Sequence, residues 1–282
     1  MIERLAIIGV GLLGGSVAKA ARATGVAREI VGVGRDLSRL SAALSERVLD
    51  RATIDLADGV RGADFVVLGA TVFANESLLE TLWPVVPRDA VVTDVGSTKA
   101  GIVNIARRLA GSRPVGFVGS HPMAGSDRSG YGFARADLFQ GATVIVTPTE
   151  MTDAGAVKRA SSFWETFGAH VSTLDPELHD RVVAAISHLP HLVAYALVEA
   201  VERFEPAALA YAARGFKDTT RIAASDQRVW QEIFLANRAA LRPSLEVFRA
   251  ALAALETLVD AGEPGPLEDA LAKIRCRREA LR

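Results

Sequence analysis

Over the first 175 positions, short apolar runs alternate with amphipathic stretches. The run at 5–9 ends in glycines and predicts a buried parallel strand. The Ala-rich residues 16–24 predict a helix ended near Gly25; 30–33 reads as a second strand and 39–46 as another helical stretch. Further apolar runs at 65–68, 90–95, 115–118 and 143–147 read as strands, with helix-compatible segments between most of them. Such alternation predicts crossover units and an α/β fold with a doubly wound parallel sheet. Near Asp175-Pro176 the texture changes, and from Glu177 onward the chain reads as helical, with Ala and Leu dominant. Leu241, Leu245, Phe248, Leu252 and Leu255 recur at spacings of three and four. Gly262-Glu263-Pro264-Gly265-Pro266 breaks that helix before a last one. The expected organisation is a Rossmann-type domain over residues 1–175 and an all-helical domain over 176–282, without internal repeats.

Composition narrows the partners. Of 282 residues, 50% are hydrophobic and 23% charged, the profile of an ordinary soluble protein. A net charge of -1 offers no basic field for nucleic acid or anionic lipid, so neither is expected as a partner. The lone Cys276 excludes an intramolecular disulfide framework and fits a reducing compartment. Arginines beside it would lower its pKa, but a solvated terminal helix is the plainer setting. Residues 5–17, followed by Ala18-Lys19-Ala20, imitate a signal peptide, yet their glycine spacing argues for a strand and turn. No stretch has the ~18 uninterrupted apolar residues of a membrane span. A cytoplasmic location is expected.

Gly9-Val10-Gly11-Leu12-Leu13-Gly14 follows a predicted strand and opens a predicted helix, the context that gives this spacing its meaning. Gly9 allows the tight turn, Gly11 lets backbone approach a pyrophosphate, and Gly14 lets helix and strand pack closely. The helix N-terminus, with Leu12 and Leu13 in its first turn, supplies free amides for phosphate. After the second strand comes Gly34-Arg35-Asp36. A carboxylate there serves the ribose hydroxyls of NAD and an arginine the 2′-phosphate of NADP, so Arg35 and Asp36 leave both cofactors open.

Asp94-Val95-Gly96-Ser97-Thr98-Lys99 and Gly119-Ser120-His121-Pro122 each follow a predicted strand, where a doubly wound sheet holds its ligands. Histidine is a natural base for an alcohol at neutral pH, and Ser97 is placed to orient it or bind the reacting hydroxyl. Ser187-His188-Leu189-Pro190-His191 adds two histidines without a third metal ligand. One of them facing the substrate is the better reading than a metal site, with His191 expected as a packed helix residue. His170 and His179 have no motif and are expected at the surface. Gly215-Phe216-Lys217-Asp218-Thr219-Thr220-Arg221 suits capture of a carboxylate by its arginine, or a solvated helix start. Asp226, Trp230 and Asn237 share a helical face and read as packing and hydrogen bonding.

Together these blocks, with Met123-Ala124-Gly125 and Ser129-Gly130 after His121, resemble the prephenate/arogenate (cyclohexadienyl) dehydrogenase family over nearly the whole chain. The resemblance implies oxidative decarboxylation of a cyclohexadienol with hydride passing from ring carbon C4 to NAD or NADP, without a metal. His121 then matches the base for the C4 hydroxyl, Ser97 its assistant, Arg221 the carboxylate grip and His188 the substrate-side histidine. Ser126 and Lys217 fall among the implied substrate contacts, and Ala70 and Thr71 beside the cofactor. The family often has a proline after the fourth strand, where this chain reads Gly69-Ala70-Thr71-Val72-Phe73. A homodimer through the helical domain is implied, and no regulatory or mutase domain is expected. An acidic residue facing the amino group would favour arogenate; Ser126 after the histidine motif, with Asp127 next to it, does not decide between them, and prephenate is the expected substrate with dual use left open. The rival readings are a 3-hydroxyacid-type dehydrogenase or imine reductase, which use a lysine or aspartate of the helical part, and a cofactor-binding sensor without catalysis.

Overall fold

The computed structural model describes residues 1–126 and 128–281. Among them an eight-stranded sheet runs in the order β3-β2-β1-β4-β5-β6-β7-β8. Its strands are β1 (Ile2–Ile8), β2 (Ala27–Val33), β3 (Arg51–Thr53), β4 (Phe65–Leu68), β5 (Val91–Asp94), β6 (Gly116–Pro122), β7 (Thr143–Thr147) and β8 (His170–Thr173). All neighbours are parallel except β6 and β7. The order reverses between β1 and β4, which opens a crevice beyond their carboxyl ends.

Helices α1 (Leu12–Thr24), α2 (Ser41–Ser45), α3 (Leu56–Val60), α4 (Val72–Leu82), α5 (Ala100–Ala110) and α6 (Ala154–Thr166) cover the sheet. Because side chains alternate along a strand, β1 and β4 feed two cores. Leu5, Ile7, Phe65 and Val67 join Val17, Phe163 and Trp164 on one face. Ala6, Ile8, Val66 and Leu68 join Leu79, Leu82 and Ile102 on the other.

Two differences from the sequence reading matter for the site. The strand expected at 115–118 continues through Pro122, because antiparallel pairing with β7 (His121 opposite Ile145) extends it past its parallel partner. His121 therefore stands on a strand rather than in a loop. The edge strands β3 and β8 were not legible: β3 has three residues, and β8 has little burial to pattern it.

Beyond β8 the described chain is helical. Asp175 caps α7 (Pro176–Val183) by accepting from Glu177 and Leu178 N–H, with Pro176 at the first helical position. A π-turn over Ala184–His188 joins α7 to α8 (Leu189–Phe204) in one continuous helix. Pro190 has no N–H for the carbonyl of Ile186, and the backbone widens there. Pro176–Phe204 is long and apolar enough to span a bilayer by length and composition alone, yet His179, Asp180 and His188 along it are buried against protein. Then follow α9 (Arg214–Thr220), α10 (Gln227–Ala236), α11 (Arg238–Ala261) and α12 (Pro264–Glu279). Gly262, at φ 68°, ends α11, and Cys276 is exposed on α12.

Candidate active site

The glycine turn is held together by backbone proximity. Gly9 has φ +93°, and a Cβ on it would lie 2.9 Å from the Ala70 nitrogen. A Cβ on Gly14 would stand 2.0 Å from the Gly9 carbonyl oxygen, and one on Gly69 2.5 Å from the same atom. Gly11 faces open space, and no side chain caps α1, so the amides of its first turn, at Leu12 and Leu13, are left for an incoming group. These features fit a dinucleotide pyrophosphate.

In the turn after β2, the Asp36 carboxylate accepts from its own neighbour, Ser38 N–H, at 2.8 Å, capping the tight turn Leu37–Leu40. That backbone bond, with the Ser38 side chain, holds Asp36 below the usual carboxylate range. Arg35 is exposed beside it. In the turn after β4, Ala70 N–H donates to Asn75 Oδ1 at 3.0 Å. Thr71 Oγ1 and Phe73 N–H each donate at 3.0 Å to Glu232 of α10, so the helical half caps α4 beside the glycine turn. Sequence reasoning did not single out Glu232; its neighbours Trp230 and Asn237 had drawn attention to that helix.

The loop after β5 rests on a buried ion pair between Asp94 and Lys99, exposed by 1% and 0% at their side chains. Asp94 also accepts from Gly96 N–H at 2.8 Å and from Ser120 N–H at 3.1 Å. Ser120 Oγ lies 2.7 Å from Thr93 Oγ1 and accepts from the indole of buried Trp164 at 3.1 Å. The ends of β5 and β6 are thereby fixed to each other. Ser97 is half-buried on the loop between them, and His121 is buried one residue past Ser120.

His179 is not a surface residue. It is fully buried, with Nε2 2.8 Å from His121 Nδ1 and Nδ1 2.8 Å from Asp180 Oδ1. The expectation failed because the exposure of α7 depends on where it docks, and it docks on the end of β6. Asp180 further accepts from Lys99 N–H at 2.8 Å and Ala100 N–H at 3.0 Å, capping α5 from the other half of the molecule. Burial, reinforced by His179, Lys99 and His188, pushes His121 well below the ordinary histidine pKa. Burial likewise lowers His179. Burial alone would raise Asp180, but the His179 hydrogen bond and the Ala100 and Lys99 amides outweigh it and hold the carboxyl ionised.

His188 is also buried, and burial takes its pKa to about 4. Asn237 Nδ2 donates to the Asp180 carbonyl at 2.7 Å and to His188 Nδ1 at 3.0 Å. His191 stacks on Trp230, with ring centroids 3.4 Å apart, and its Nδ1 donates to the Ser187 carbonyl at 2.9 Å. Asp226 caps α10 through Arg228 N–H at 2.9 Å. His121, His179, Asp180, His188 and Asn237 thus form one connected buried cluster. Arg221, Lys217 and Ser126 are exposed. Arg221 is near enough to His191 to lower its basicity, behind the larger effect of burial. His170 is exposed, and Asp127 lies outside the described residues.

A phosphate cradle at the switch point of a doubly wound sheet, with a buried neutral histidine at the end of a neighbouring strand, defines a nicotinamide-dinucleotide dehydrogenase. Residues 17–173 match the family described as prephenate dehydrogenase, nucleotide-binding domain, and residues 175–273 its dimerization domain. The chain belongs to the prephenate dehydrogenase family. It is 35% identical to the cyclohexadienyl dehydrogenase of Zymomonas mobilis, over 92% of this chain and 89% of that one. Prephenate dehydrogenase from Aquifex aeolicus, solved with hydroxyphenyl propionate and NAD+, superposes with TM-score 0.93 at 34% identity, covering 100% of this chain and 99% of the other. Synechocystis arogenate dehydrogenase superposes with TM-score 0.85 at 31% identity, covering 98% and 99%. The chain is accordingly an NAD(P)-dependent oxidoreductase of α/β fold with a helical C-terminal domain.

Proposed function

We propose that this chain converts prephenate to 4-hydroxyphenylpyruvate, a step of tyrosine biosynthesis, with His121 as the base. The observation that carries the assignment is the state of His121. It is buried and neutral at the end of β6, and His179 occupies its Nδ1, which leaves Nε2 for a substrate hydroxyl. Bound NAD(P)+ supplies the acceptor for hydride from ring carbon C4. Gly9, Gly11, Gly14 and the first-turn amides at Leu12 and Leu13 would hold its pyrophosphate, with Ala70 and Thr71 alongside and Arg35 and Asp36 near the adenosine ribose.

His121 takes the proton from the C4 hydroxyl as the carbonyl forms, and Ser97 hydrogen-bonds the same oxygen. As carbon dioxide leaves, the electron pair of the broken C–C bond makes the ring aromatic and the C4 oxygen takes back the proton held on His121; aromatisation drives the step. Arg221, being exposed, closes on a substrate carboxylate, with Lys217 and Ser126 as further substrate contacts. His188 contributes a donor from the helical side. Arogenate is the second reading, favoured by the likeness to the Synechocystis enzyme.

The same proposal divides the chain at 175/176, where β8 has ended and α7 begins. It assigns a homodimer to the helical half, whose α11 and α12 expose Val247, Leu252, Val259, Leu271 and Ile274. It also places the enzyme in the cytoplasm.

Absorbance at 340 nm tests the activity, with prephenate or arogenate and NAD+ or NADP+ in all four combinations. Reduction with prephenate supports the assignment. Reduction with arogenate alone moves it to the second reading, and silence in all four, from protein that binds dinucleotide, refutes both.

A further inference from the structure

The buried cluster behind His121 specifies where its protons are. Asp180 is an ionised carboxylate, so it can only accept, and it receives Lys99 N–H, Ala100 N–H and one hydrogen from His179 Nδ1. A neutral His179 with its proton on Nδ1 has a bare Nε2. That atom lies 2.8 Å from His121 Nδ1, and two bare nitrogens at that distance would repel. His121 must therefore carry its proton on Nδ1, and its Nε2 is the lone pair left for chemistry. No other side-chain partner is recorded for His121 among the described residues.

We propose that His179, backed by Asp180, is a positioning residue that fixes His121 in the Nδ1–H tautomer. In addition, it shares the proton His121 acquires from the substrate. The inference rests on the reading of His121 as base. When the C4 hydroxyl proton reaches His121 Nε2, the bond it leaves is O–H and the bond formed is Nε2–H. The Nδ1 proton then moves along the existing hydrogen bond to His179 Nε2, and the cation comes to lie against the Asp180 carboxylate. Nothing is oxidised in this transfer, and no proton enters or leaves the cluster apart from the substrate's own. The arrangement answers the main weakness of a buried base: burial keeps His121 neutral, but it also penalises the imidazolium that catalysis must form. A second imidazole with a carboxylate behind it spreads that charge. The helical half supplies both groups, so docking of α7 on β6 completes the base.

The charged and titratable groups facing the pair are Asp94 and Lys99 from the β5 loop, Asp180 from α7 and His188 from the π-turn. Asp94 and Lys99 neutralise each other as a buried pair.

Two measurements on the full-length protein test the proposal. In the parent protein, ¹⁵N-histidine spectra at pH 8, with His121 assigned by its loss in H121N, should show Nδ1 protonated and Nε2 bare. In kinetics, H179L removes the acceptor, whereas H179Q keeps an acceptor towards His121 and a donor towards Asp180. H179L should lower kcat by roughly 10²-fold with KM within about threefold, and shift the acid limb of the kcat–pH profile. H179Q should recover at least about tenfold of that loss. An Nε2–H tautomer in the parent, an H179L kcat within about threefold of it, or H179Q no better than H179L would each overturn the proposal. If H179L does not fold, the tautomer seen in the parent spectrum still decides. Should H121N keep its turnover, the reading of His121 as base fails; the resting tautomer still reports separately on what His179 does.

Discussion

Asn237 donates to His188 Nδ1 at 3.0 Å, and this contact fixes the tautomer of a buried histidine. The same amide nitrogen donates to the Asp180 carbonyl, which can only accept, so the orientation of the Asn237 amide follows from its partners. With Nδ1 accepting, neutral His188 keeps its proton on Nε2. The two buried histidines thus hold opposite tautomers, His188 with its proton on Nε2 and, on the proposal above, His121 with its proton on Nδ1.

Asn237→Leu should leave His188 Nδ1 unpaired, while the Asp180 carbonyl keeps the N–H of Ala184. A buried orphan costs about 1–3 kcal/mol, so urea unfolding should show a loss of at least about 1 kcal/mol. A variant within about 0.5 kcal/mol of the parent would mean that water or another group replaces the amide.

Among the described residues Arg221 makes no side-chain hydrogen bond or ion pair, and it is exposed, so its removal should cost folding little. Arg221→Ala should raise the KM for prephenate by about ten- to a hundredfold, the loss of a charge-assisted bond, while melting with the parent. An unchanged KM would remove it from the carboxylate site.

In the turn after β2, Arg35 is exposed and can meet a 2′-phosphate, whereas Asp36 accepts from Ser38 N–H through Oδ1 and has Oδ2 to offer a ribose hydroxyl. Arg35→Ala should weaken NADP+ binding by about tenfold and leave NAD+ within about twofold, read by titration of intrinsic fluorescence. Equal loss for both cofactors would place Arg35 elsewhere.

Stability should fall on acidification. His121, His179 and His188 are held below their ordinary value, so between pH 6.5 and their folded pKa values the unfolded chain binds protons that the folded chain refuses. For His188 the drop from 6.5 to about 4 is about 2.5 units; at about 1.4 kcal/mol per unit, roughly 3 kcal/mol is lost by pH 4. The loss begins as pH drops through 6.5, before the depressed carboxyl of Asp180 can contribute. The urea midpoint should be lower at pH 5 than at pH 7.5, and H188Q should flatten the difference. A midpoint that holds or rises at pH 5 would contradict the buried neutral histidines.

What the sequence disclosed and what it hid divide along physical lines. The turn at Gly9, Gly11 and Gly14 was legible because its chemistry is local: a positive φ, a close backbone approach and a helix start follow from adjacent residues. Asp175-Pro176 announced α7 for the same reason. His121 was legible through its place after a strand, although β7 carries that strand past it. His179 was hidden. Nothing in Leu178-His179-Asp180 says which side of α7 meets the sheet, since burial there depends on partners some sixty residues away, as with His121 at a separation of 58. The cap from Glu232 to Phe73, at a separation of 159, was hidden likewise. The burial of Lys99 was hidden too, since it depends on the ion pair with Asp94 and on the docking of the helical half against its loop.

The most direct test of the account is the turnover of His121→Asn with prephenate and the cofactor the parent uses, measured together with that variant's dinucleotide affinity. The account predicts kcat lower by about 10²- to 10⁴-fold with cofactor Kd within about twofold, because the phosphate cradle lies on β1, α1 and β4, apart from His121. Turnover within about threefold of the parent, from protein that binds dinucleotide normally, would contradict His121 as the base.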